Sequence, residues 1–201
     1  MGTVKDEIQI YDLVNISNNV YYSKIMYKNS ELSIQTNKNS LVLNKEKCKA
    51  KLNINEETSN FIKEVSRAII ELTSEKSNEF FGKDISVEDC ENIYKEALVG
   101  NVLHCFYDEE THFYKSKNNN IELEDLPSEI EGISLLRASA VVYTKTSFFI
   151  RWEITQFKIK KPKEPEEIFK FDEYIIKDLP EHEFPIDGDP LANKLEEICF
   201  F

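Results

Sequence analysis

Two stretches of helical period interrupt a chain that otherwise reads as short strands, and that order limits what the chain can fold into. From Glu56 onward Phe61, Val65, Ile69 and Leu72 recur at three- and four-residue intervals, with Ile62 and Ala68 widening the stripe. That spacing predicts one buried helix face. The stretch ends at Phe80-Phe81-Gly82, where glycine takes the left-handed stop. A second helix is predicted to open at Ser86, with Asp89 three residues on as a relative of the capping box. Its apolar stripe is Val87, Cys90, Ile93, Tyr94 and Ala97.

Strands lie on both sides. Before the helices, residues 8–14, 20–27, 31–36 and 41–43 are β-rich and separated by Asn, Ser and Lys clusters, the punctuation of a meander. Residues 45–54 alternate as one further strand, with Lys45, Lys47, Lys49 and Lys51 on one face and Cys48, Ala50, Leu52 and Ile54 on the other. After the helices, residues 102–107 and 112–117 flank the acidic turn Asp108-Glu109-Glu110. Residues 133–144 and 147–160 follow. In the last segment Phe148, Ile150, Trp152 and Ile154 share an apolar face, and Phe149, Arg151, Glu153, Thr155 and Phe157 the other. Strands, helix pair, strands predicts a mainly β (α+β) chain: an OB-fold-like barrel with a two-helix insertion over residues 1–161. A general α+β sheet fits the periodicity nearly as well.

Beyond Lys161 the pattern breaks at Pro162, Pro165, Pro180, Pro185 and Pro190. The chain carries 37 acidic and 25 basic side chains, a net charge of −12, and residues 162–201 hold 12 of the acids and only 4 of the bases. An extended acidic C-terminal tail with an aromatic tip, Phe200 and Phe201, is predicted there. No apolar run reaches ~18 residues, and the first ten residues lack a signal-peptide core, so a soluble, cytosolically made protein is expected. The four cysteines share no short spacing, which argues against a disulfide framework or a zinc knuckle.

Enzyme signatures are absent. Gly82-Lys83-Asp84 lacks the upstream glycine and following Ser/Thr of a nucleotide loop. His104, Cys105 and His112 would meet across a hairpin, one ligand short of a zinc site. Asp108 and Glu109 read as a solvated turn. The expectation is a chain with no catalytic residues, cofactor or metal. Nucleic-acid binding fits better, because phosphate recognition depends on the local field rather than net charge. The row Lys45, Lys47, Lys49 and Lys51 would present four ammonium groups at ~7 Å intervals along one strand face, with Lys47, Lys49 and Lys51 singled out as phosphate contacts. Aromatics interleave with cations at Tyr22, Lys24 and Tyr27, at Tyr114 and Lys115, and at Phe149 and Arg151. Single-strand binders stack bases on such rings and neutralise phosphates with such cations. The acidic tail would mimic a single strand and compete for the same groove.

Several segments taken together resemble a known family. They are Ser33-Ile34-Gln35-Thr36-Asn37-Lys38, Asn78-Glu79-Phe80-Phe81-Gly82-Lys83, Glu91-Asn92-Ile93-Tyr94-Lys95, Phe149-Ile150-Arg151-Trp152-Glu153-Ile154-Thr155-Gln156 and the acidic tail. In order and spacing the chain resembles the single-stranded-DNA-binding proteins of nucleo-cytoplasmic large DNA viruses, related to the replication binding protein of short-tailed coliphages. Asn37, where proline is expected, and the longer, proline-broken tail are departures. The resemblance implies an OB-fold and sequence-tolerant binding of single-stranded DNA in viral replication, recombination or repair. It implies a tail whose Glu196, Glu197, Phe200 and Phe201 contact polymerase, helicase or primase. It further implies a homodimer with tails exchanged between protomers, working without a membrane at replication sites in the host cytoplasm or nucleus. The charge alone supports a different reading, an acidic interaction protein or chaperone for basic partners such as histone-like or capsid proteins.

Overall fold

Period-two alternation generates most of the architecture. The computed structural model describes residues 4–116 and 119–160; the predicted acidic tail, including Glu196, Glu197, Phe200 and Phe201, lies outside them. A short helix α1 (Val4–Glu7) leads into β1 (Ile8–Ile10), β2 (Val14–Ser17), β3 (Val20–Tyr27), β4 (Leu32–Gln35), β5 (Asn39–Asn44) and β6 (Lys49–Asn53). Helices α2 (Glu56–Glu75), α3 (Ser77–Phe81) and α4 (Val87–Ile93) come next. Then follow β7 (Leu98–Val99), β8 (Val102–Phe106), β9 (His112–Ser116), β10 (Asn119–Asn120), a 3₁₀ turn (Leu123–Asp125), β11 (Glu129–Tyr143) and β12 (Phe148–Ile159).

Five strands close on themselves. β5 pairs with β6, β6 with β8, β8 with β12, β12 with β11, and β11 returns to β5. Counted along the chain, the order round the barrel is first, second, third, fifth, fourth, with the third and fifth strands parallel. This is an OB-fold-like barrel with helices α2 to α4 inserted between the second and third strands. Leu41, Leu52, Leu103, Leu136 and Trp152 are completely buried and belong to one core. β11 also carries the N-terminal strands. Along one edge it meets β5, then β4, then β3 in succession, while its other edge pairs with β12 throughout.

The helices form for the reasons the sequence offers. The Asn55 side chain accepts from the Thr58 amide at 2.9 Å and caps α2, and Ile62, Val65 and Ile69 bury its apolar face. Ser86 caps α4 through the Asp89 amide at 3.1 Å. Gly82 sits at φ +67° and ends α3 as predicted. The long first helix is nevertheless broken at Lys76. There the Ser77 hydroxyl donates to the Ser74 carbonyl at 2.7 Å and accepts from the Ile85 amide at 2.8 Å, competing with the helical ladder.

Four other expectations are corrected. Residues 8–14 do not form one strand, because coil at 11–13 separates β1 from β2. Residues 45–54 are not one strand either: 45–48 form a turn with Cys48 at φ +48°, and β6 begins only at Lys49. β8 and β9 do not make a hairpin. Both run parallel to β12, so they form one interrupted barrel strand, and His104 and His112 do not face each other across it. Phe157, expected on the outer face, is fully buried. The reason is a bulge at Thr155, which shifts the register between Leu135 and Leu136 and exchanges the two faces of β12. A second bulge at Ser139 does the same for β11. Each bulged hydroxyl donates across the ladder at 3.2 Å, Thr155 to the Leu135 carbonyl and Ser139 to the Arg151 carbonyl. The tight β11–β12 pairing also requires Gly132, where a Cβ would lie 2.2 Å from the Lys158 carbonyl oxygen.

Candidate nucleic-acid interface

The second and third barrel strands carry a polar and aromatic outer face. Register puts Val42 beside Lys51 and Lys51 beside His104. One step along, Asn44, Lys49, Phe106 and Glu153 form the next row. Their alternation partners, Leu43, Ala50, Leu52, Leu103 and Cys105, point into the core. A groove of about 920 Å³ runs over this face, bounded by the β5–β6 turn and by Thr144 and Ser147 of the β11–β12 turn. In OB-folds the face of the second and third strands, with the turns between strands one and two and between four and five, holds oligonucleotides or oligosaccharides.

The groove is electropositive in an acidic chain. Four lysines line it, Lys45, Lys49, Lys51 and Lys95, against two glutamates, Glu46 and Glu96. Lys45 is a strut, donating to the carbonyls of Glu124 at 3.0 Å and Leu126 at 2.7 Å. The Lys49 ammonium lies 5.4 Å from the centroid of the Phe106 ring. Among the described residues neither Lys51 nor Lys95 enters an ion pair. His104 is held below the usual imidazole range, first by loss of surrounding water and then by the Lys51 and Lys49 charges. The same loss of water pushes the Glu96 carboxyl up, against the hydrogen bond it accepts from Ser66 at 3.4 Å. Phe149 and the exposed Val42 and Val99 supply apolar surface.

The residues predicted to bind DNA separate into distinct places. Lys49, Lys51 and Phe149 share the groove. Lys47 is exposed at the tip of the preceding turn and does not share a strand face with them. Tyr22, Lys24 and Arg151 line a smaller pocket of about 360 Å³ on the outer face of β3, β11 and β12. There Arg151 is buried, donates to the Tyr22 hydroxyl and pairs with Glu153 at 3.2 Å. Arg137 holds Glu153 from the other side at 2.6 Å and reaches Glu31 at 3.6 Å. Glu31 in turn pairs with Lys24 at 3.4 Å. Arg151 is thus engaged inside the protein rather than offered to phosphates, a correction to its predicted role. Tyr27 donates to Glu7 at 2.7 Å and packs edge-on against Phe61. It ties β3 to α1 and α2 rather than presenting a stacking face. Tyr114 is buried, with its hydroxyl 3.5 Å from Gln156 Oε1, and presents no face to a base. Lys115 is exposed on β9, away from the groove.

Phe106, His104 and Lys95 complete the groove without having been predicted as binding residues. Alternation in 102–107 places Val102, His104 and Phe106 opposite Leu103 and Cys105 and would have found the first two. Lys95 arrives through the chain reversal after α4, which local pattern does not show. Among the described residues no cluster of three or more His, Cys, Asp or Glu is placed to hold a metal ion, and no helix is long and apolar enough to cross a membrane.

No curated protein and no solved structure matches the chain. Residues 39–178 match the model of a family of unknown function, DUF5871. The match starts at Asn39, the first residue of the first barrel strand, so the barrel falls within it and β1 to β4 fall before it. By that match the chain belongs to the DUF5871 family.

Proposed function

We propose that the chain binds single-stranded DNA with little sequence preference along the groove over β6 and β8. The observation that carries this reading is the groove itself: net-positive in a chain of net charge −12, with two aromatic side chains, on the ligand face of an OB-fold-like barrel. Lysines there would neutralise phosphates, and Phe106 and Phe149 would stack bases, which a duplex keeps hidden. On this reading the chain coats single strands exposed in replication, recombination or repair, and the acidic segment beyond residue 161 recruits replication partners.

The test is fluorescence anisotropy of labelled oligo(dT) titrated with the full chain at two salt concentrations. Binding that weakens with salt is expected. An absence of binding even at low salt, together with capture of basic proteins, would replace this reading with the acidic-adaptor one.

A further inference from the structure

We infer that the groove is a short-footprint site, gripping about four nucleotides of an unpaired strand between two stacking platforms, Phe106 and Phe149. This rests on the single-strand reading above and adds to it the length and the borders of the ligand. Glu153 pairs with Phe106, and Phe149 stands four residues back along β12 on the same outer face. At ~3.3 Å per strand residue the two rings are ~13 Å apart along the strand. Stacked bases rise ~3.4 Å each along one strand, so this span holds about four nucleotides.

Both borders are visible. On the β11 side of β12, alongside the span between the two rings, the outer face belongs to the Tyr22, Arg151, Glu153 and Arg137 network, whose cations already face carboxylates. At the other side Lys45 is committed to main-chain carbonyls. The groove's other lysines are Lys49, whose ammonium lies over the Phe106 ring, and Lys51 and Lys95, which enter no ion pair among the described residues. Lys49 has a double part: its ammonium sits over the Phe106 ring, so a phosphate that draws it aside uncovers the ring face for a base.

The experiment is a length series of labelled oligo(dT), of two, four, eight and twelve nucleotides, titrated with the full chain over a range of salt. Affinity should climb steeply up to four nucleotides and then only by the number of added registers. The slope of log K against log salt should be about −2, from three neutralised phosphates. Phe106→Leu and Phe149→Leu keep apolar bulk and should each weaken the four-nucleotide ligand about 5- to 150-fold. Lys24→Glu should leave it unchanged. Affinity that keeps rising steeply beyond eight nucleotides, with Lys24→Glu weakening the longer ligands, would overturn the short footprint while leaving single-strand binding in place. No binding at any length at low salt would overturn both.

Discussion

The outer faces of β6–β8 and of β3–β11–β12 are built from the same ingredients, lysine or arginine alternating with aromatic residues. They end in different electrostatic states. Over β6 and β8 four lysines meet two glutamates. Over β3, β11 and β12, Lys24, Glu31, Arg137, Glu153 and Arg151 alternate in sign and pair off in sequence. An interleaving of cations and rings therefore does not by itself mark a phosphate-binding surface. What decides is whether the strand next to the cation brings a carboxylate, and that is a matter of register.

Four predictions can break or sharpen this contrast, given from largest effect to smallest. Arg151→Ala should cost about 3 kcal/mol, because it leaves the Glu153 carboxylate buried with a single remaining partner. Urea unfolding would measure this, and a loss under 1 kcal/mol would mean that the network is not a buried ion system. Lys49→Glu with Lys51→Glu should lower oligo(dT) affinity about 100-fold at low salt and flatten its salt dependence, with stability nearly unchanged. Equal binding by wild type and variant would move the ligand off this face. The third prediction concerns pH. His104 titrates below its unfolded value, so between its folded and unfolded pKa the unfolded chain binds more protons, and His104 takes stability away as pH falls through that window. A bound phosphate reverses the local field, so binding should take up a proton and tighten a few-fold on acidification. His104→Gln should abolish that tightening in anisotropy titrations. Finally, Lys24→Ala should change stability by less than about 1 kcal/mol, since its pair with Glu31 is exposed, and should leave binding untouched.

Much of the barrel was legible because alternation and burial coincide along β5, β6 and β8. The helix caps at Asn55, Ser86 and Gly82 are local chemistry and obey local rules. The sequence misleads where two structures satisfy the same pattern. Lys45-Glu46-Lys47-Cys48 alternates as well as a strand does, yet a hairpin is needed there to bring β5 beside β6, and Cys48 takes a positive φ in that turn. Phe157 and Tyr114 follow from a bulge and from a parallel pairing, both properties of distant partners. The same limit applies to the site. Lys49, Lys51 and Phe149 could be singled out from their neighbours in sequence. Distinguishing them from Arg151 and Lys24 required knowing that Glu31 and Glu153 lie across the sheet.

The seam of the barrel has a kinetic consequence. Asn39 meets Gly132, and Phe106 meets Glu153 in a parallel pairing, so neither closing contact joins neighbouring hairpins. Such contacts carry their chain-closure entropy before any neighbouring hydrogen bond repays it. The β5–β6 and β11–β12 hairpins, being local, are expected to form first, with their docking through β8 as the slow step. Until that step the main-chain edges of β8 and β12 lie open, and an unclosed barrel of this kind is the species most exposed to pairing with another chain.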